Sequence, residues 1–142
     1  MRLYEFDKIV RLVPGSSIPD RTRESENKDL YKRLHYMIPQ YLDNEEVLIV
    51  EDGRRIVGAL GLEKSPYDDN VYWIKYVEVE VAYQNQGISI KLIKAAFEFA
   101  SEREADLTNS TYTPQGAERI KKIFDRISKE FPDVNFREQN QR

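Results

Sequence analysis

Apolar and polar residues repeat along this chain with two different periods, and the switch between them marks its most informative stretch. Val77, Val79 and Val81 alternate with Glu78 and Glu80, the period-two pattern of a strand with one buried face. From Gly87 onward Ile88, Leu92, Ala95, Ala96 and Phe99 recur at helical spacing, which predicts a helix to about Glu104. Strand and helix are joined by the tight turn Gln84-Asn-Gln-Gly-Ile-Ser89.

The flanking sequence supplies the other elements. Apolar residues between Leu3 and Val13 predict a first strand, ended by Pro14-Gly-Ser-Ser17 and Pro19. Arg21 to Asp29 is polar, either a mobile loop or the exposed first turns of a helix. Leu30, Tyr31, Leu34, Ile38, Tyr41 and Leu42 form a helical stripe that Pro39 bends or splits. Val47 to Val50 and Arg55 to Leu60 flank Asp52-Gly53, a dipeptide suited to hairpin turns because it tolerates positive φ. Ser65 to Asn70 forms the next turn, before a long strand from Val71 to Val81.

After the helix, Asp106 to Tyr112 predicts a short strand. Thr113-Pro114 starts the last helix, with a Thr cap and Pro at the first helical position. Ala117, Ile120, Phe124, Ile127 and Phe131 line one face of it, Pro132 stops it, and Val134-Asn-Phe136 is the final strand. The order β, α (α), β, β, β, α, β, α, β implies an α/β (α+β) fold, a mixed sheet with helices packed on it. No repeat or linker interrupts residues 1–142, so one domain is expected.

Composition narrows the possible chemistry. The chain has 142 residues, 40% of them hydrophobic and 33% charged, as a single soluble core requires. No apolar run reaches membrane-spanning length and the N-terminus lacks a signal-peptide layout. The absence of cysteine excludes disulfides, thiolate zinc sites and cysteine nucleophiles, and fits a reducing, cytoplasmic setting. A net charge of -3 with no basic face argues against nucleic-acid binding. One histidine leaves little scope for a metal centre or a Ser-His-Asp triad. His35, lacking a nearby carboxylate or second histidine, is a packing or surface residue.

The turn at Gly87 carries the chemistry. The first N–H groups of a helix have no internal partner, and the helix dipole puts partial positive charge there, so the turn suits an anion. A side chain at Gly87 would hold a phosphate away from the backbone. Gln84-x-x-Gly87-x-Ser89 resembles the Q/R-x-x-G-x-G/A signature of the GNAT (GCN5-related N-acetyltransferase) superfamily, with Ser89 where Gly or Ala is usual.

That resemblance implies a mostly antiparallel central sheet and acetyl-CoA as co-substrate. It implies that backbone groups of Val79 and Val81 pair with the pantetheine arm. Gln84 belongs to the motif, and amides of Gln86, Gly87, Ile88, Ser89 and Ile90 would take the pyrophosphate. Val81 stands where many members have Pro. The C-terminal end shows one strand where the family usually has two, an abbreviated edge that a second copy could cover in a homodimer.

Acetyl transfer also needs a neutral amine and a thiolate that can leave. Family members often carry a carboxylate eleven residues before the motif Gln, where this chain has Trp73. Glu78 and Glu80 remain on the strand as candidate bases, and Glu63, at the end of the preceding strand, is a weaker one; each taken singly reads more readily as a solvated strand charge. Members often have a Tyr acid on the last helix, but Phe124 stands there and reads as core. Tyr112 is the candidate acid, and Tyr72 and Tyr76, alternating with Trp73, are candidates to line the acceptor pocket. Asp68, Asp69, Glu78 and Glu80 would make its entrance acidic, and Arg21 to Asp29 would lie beside it.

Two readings follow from the resemblance: acetyl transfer from acetyl-CoA to a primary amine of a small molecule or peptide, or a non-catalytic module of the same fold that binds CoA or a partner. Trp73 and Phe124 favour the second. A nucleotide-binding domain unrelated to CoA is disfavoured, because neither a P-loop lysine nor a G-x-G-x-x-G is present.

Overall fold

Val47 to Val50 and Ile56 to Leu60 turn back on each other through Gly53, which adopts φ 66°, and pair as antiparallel neighbours. A computed structural model describes residues 10–14, 46–53, 55–65, 70–80, 83–84, 86–109 and 117–138. The strands are β1 (Val10–Pro14), β2 (Glu46–Asp52), β3 (Arg55–Lys64), β4 (Val71–Val79), β5 (Asp106–Asn109) and β6 (Phe136–Glu138). Helix α1 spans Ile88–Glu102 and α2 spans Ala117–Ser128. The expected helix over Leu30 to Leu42, the segment Arg21 to Asp29, His35, Asp68, Asp69 and the Thr113-Pro114 cap lie outside the described residues. No helix among the described residues is long and apolar enough to cross a membrane.

The six strands lie side by side in chain order. The first three ladders are antiparallel, and β4–β5 and β5–β6 are parallel. The mixed, mostly antiparallel sheet flanked by helices is therefore what the element order and the resemblance implied.

One face of the sheet carries the main core. Leu48, Val50, Leu60, Leu62, Ile74 and Val79 meet α1 there, which contributes Ile88, Leu92, Ile93, Ala96, Phe97, Phe99 and Ala100. This buried surface is wider than the predicted stripe because α1 is covered from two sides. Phe97 lies 6.5 Å from Phe124, 5.8 Å from Phe131 and 5.5 Å from Phe136, ring centroid to centroid. Helix α1 thus packs on the sheet with one side and on the aromatics of α2, the following turn and β6 with another. A smaller cluster of Val47, Ile49, Ile56, Ala59 and Tyr76 occupies the opposite sheet face.

Gly58 sets how closely α1 approaches. A Cβ there would lie 2.7 Å from Ile88 Cγ2 and 3.2 Å from Leu92 Cδ1, inside ordinary contact with two buried side chains. Gly58→Ala is expected to lower stability by about 1–3 kcal/mol through overpacking, read as a shift in the urea midpoint. An unchanged midpoint would show that α1 gives way freely.

Two boundaries differ from the sequence reading. β4 stops at Val79 rather than Val81, and Val81 lies outside the described residues. β5 is described from Asp106 to Asn109, and the rest of the strand expected to Tyr112 lies outside the described residues. β6 begins at Phe136, while Val134 is a buried plug in the preceding turn, its N–H donating to the Phe131 carbonyl at 3.0 Å. The apolar character of Val134 predicts a strand, but burial in a turn satisfies the same demand.

A bulge changes the faces of β4. Gly61 pairs with Tyr76 and Leu62 with Ile74, so Lys75 is an extra residue that reverses the alternation locally. Tyr72 packs edge-on against Phe99 at 4.9 Å on the α1 side, whereas Tyr76 belongs to the opposite cluster. The expectation that Tyr72 and Tyr76 line one pocket is therefore corrected: strict period-two counting fails across the bulge.

Candidate functional site

Beyond the bulge the alternation resumes, with Val77 and Val79 packed on the α1 side. Glu78 pairs directly with Ala59 of the other cluster, and residues opposite each other across a ladder share a face. Glu80 leaves the strand with its N–H donating to the Val57 carbonyl at 2.9 Å, and its own carbonyl accepts from Tyr83 N at 2.8 Å. That bond closes the turn. Gln84 is exposed at its backbone corner, and its Nε2 donates to the Val79 carbonyl at 3.3 Å.

Gly87 is the N-cap of α1 with φ 80° and ψ 10°, a left-handed conformation that strains any residue with a Cβ. The space in front of it is open, since a Cβ there would meet nothing within 4 Å. The first helical bond runs from Lys91 N–H to the Gly87 carbonyl at 3.1 Å. The N–H groups of Gly87, Ile88, Ser89 and Ile90 precede that rung and have no partner within the helix. No side chain caps this end, and no acidic residue stands in the first turn. Among the described residues of the first turn, then, no negative charge meets the positive end of the helix dipole. Ile88, 1% exposed, locks the turn against Gly58.

The expected residues divide as follows. Val79, Gln84, Gln86, Gly87, Ile88, Ser89 and Ile90 converge on the junction of β4 with α1, while Val81 and Tyr112 lie outside the described residues. Glu78 is half-buried and Glu80 only 8% exposed. Glu63 sits opposite Trp73 on β3 and engages Lys75 Nζ at 3.3 Å. That ammonium also lies 5.1 Å from the Trp73 ring centroid, so Glu63, Trp73 and Lys75 form one cross-strand cluster. Phe124 is 1% exposed and stacks face to face on Phe136 at 4.9 Å, as its apolar stripe implied.

Sequence reading missed Tyr83. Its hydroxyl donates to Asp52 Oδ2 at 2.5 Å, tying the turn to the tip of the β2–β3 hairpin, and its ring packs on the main core. Nothing in residue spacing announces a contact across 31 positions. A cavity of about 500 Å³ elsewhere, lined by Val10, Leu48, Lys91, Phe99 and Arg103 among others, includes none of these converging residues.

A family model described as the acetyltransferase (GNAT) family matches residues 15–115. No curated protein matches the sequence. Solved structures share the fold at low identity. An aminoglycoside acetyltransferase, meta-AAC0020 from an uncultured soil metagenomic sample in complex with trehalose, is 17% identical with a TM-score of 0.59, the alignment covering 84% of this chain and 89% of that one. An IAA acetyltransferase from Bacillus cereus is 18% identical with a TM-score of 0.61, covering 83% and 73%. A Bacillus subtilis acetyltransferase in complex with CoA is 19% identical with a TM-score of 0.61, covering 84% and 75%.

Proposed function

Because the chain belongs to the GNAT acetyltransferase family, we propose that it moves an acetyl group from acetyl-CoA to a primary amine of a small molecule or peptide, by direct attack within a ternary complex. The observation that carries this reading is the uncapped N-terminus of α1 at left-handed Gly87, which directly follows strand β4. Amides of Gln86 to Ile90 bind the diphosphate, and Val79 and Val81 guide the pantetheine arm along the strand as a further ladder partner would.

Chemistry then depends on placement and one proton transfer. The amine nitrogen, once neutral, attacks the thioester carbonyl; the C–S bond breaks and the CoA sulfur leaves with its electron pair. Holding both reactants in line lowers the entropic part of the barrier. Glu80 or Glu78 accepts the amine proton. Glu80 is the better shielded of the two. The thiolate leaves directly or takes a proton from Tyr112, since Phe124 has none to give.

The test is titration with acetyl-CoA followed by thiol release across a panel of an aminoglycoside, a polyamine and a lysine peptide. Binding with turnover is expected. Glu80→Gln or Glu78→Gln should then lower kcat by about 100-fold or more if that carboxylate is the general base. Binding without turnover on any amine would favour a CoA-binding module, the reading that Phe124 and Trp73 support. Absence of CoA binding would remove both.

A further inference from the structure

Donor binding requires that the Gly87 turn be held in place, and the structure shows what holds it besides the core. Tyr83 lies immediately before Gln84, inside the turn, and its hydroxyl donates to Asp52 Oδ2 at 2.5 Å. Asp52 is the last residue of β2, and Gly53 beyond it bends the hairpin through positive φ. The Tyr83 backbone N–H is engaged as well, to the Glu80 carbonyl at 2.8 Å. The turn is thus gripped at both ends of one residue. A charge-assisted bond to a carboxylate is stronger and more directional than a neutral one, and this one is partly shielded from water.

We propose that Tyr83 and Asp52 are a positioning pair for the acyl donor. Through one phenol–carboxylate bond the β2–β3 hairpin fixes the amides of the Gly87 turn in the geometry a diphosphate needs. The proposal rests on the acetyl-CoA reading above and assigns a role in it to the β2–β3 hairpin. The pair acts on the diphosphate end of the donor only; the pantetheine arm depends on β4, which the β3 ladder holds independently.

That division supplies a readout that a general structural role would not move. Tyr83→Phe keeps the ring in its core contact and removes only the hydroxyl. Donor affinity is measured by calorimetry with CoA, and transfer rates are compared for acetyl-CoA and for S-acetylpantetheine, which lacks the diphosphate. For Tyr83→Phe we expect CoA affinity to fall about tenfold and kcat/KM for acetyl-CoA to fall in parallel, while kcat/KM for S-acetylpantetheine and the KM for the amine stay unchanged. Asp52→Asn should act in the same direction. The double variant should be no worse than the more damaging single one, because the two side chains share one bond. Unchanged CoA affinity in Tyr83→Phe, an equal loss with both donors, or additive losses in the double variant would each overturn the pair. Failure of the unsubstituted protein to bind CoA is a separate result: it removes the acetyl-CoA reading, and the pair with it.

Discussion

Gly87→Glu is expected to abolish CoA binding while leaving the protein folded. The backbone at Gly87 has φ 80°, and a non-glycine residue in that region raises the energy of the native state by about 1–2 kcal/mol. The new carboxylate would meet no wall, because the position opens into empty space. It would also stand at the uncapped positive end of α1, where a negative charge contributes about 0.3–1 kcal/mol of stabilisation. The second effect offsets part of the first in folding. In binding there is no offset: the carboxylate takes the place of the diphosphate and repels it. Calorimetry should show at least about a 100-fold loss of affinity, roughly 2.8 kcal/mol. Gly87→Ala carries the same strain without the charge, so it should bind CoA better than the glutamate variant. Wild-type affinity in Gly87→Glu would mean that the diphosphate lies elsewhere.

Phe124→Ala is expected to be the most destabilising of the substitutions considered. Its ring is 1% exposed, stacks on Phe136 with centroids 4.9 Å apart, and lies close to Phe97 of α1. Removing such a ring gives up its transfer free energy and leaves a cavity that rigid neighbours cannot close, about 3–5 kcal/mol in all. Folded domains are stable by only about 5–15 kcal/mol, so the loss is a large share of the whole. Urea unfolding at 25 °C measures it. A loss below about 1 kcal/mol would show that α2 can detach from α1 without consequence, against the aromatic packing described here. The same burial explains why Phe124 supplies no acid: a hydroxyl at that position would enter an apolar cluster and need a partner there.

Much of the site can be read from residue order because it is local. A strand that passes into a helix within a few residues has to present free amides at the junction, and a glycine at that corner is legible as the point where the chain can turn left-handed. The placement of Phe124 in the core was legible for a similar reason, since helical periodicity assigns a face without reference to any partner. Tyr72 and Tyr76 show where periodicity stops being sufficient. The extra residue at Lys75 reverses the count, and a bulge arises from how two strands fit together rather than from either strand alone. The ends of β4 and β6 moved for a related reason, because an apolar residue such as Val134 is equally well buried in a ladder or in a turn.

What the amino-acid sequence determined by itself was the strand-to-helix corner at Gly87 and the family to which it points, because each depends on neighbours in the chain. The tertiary structure alone decided which face each β4 side chain occupies, how close α1 can lie to Gly58, and that Tyr83 reaches Asp52. Those are contacts between segments far apart in sequence, and their geometry exists only once the sheet has assembled.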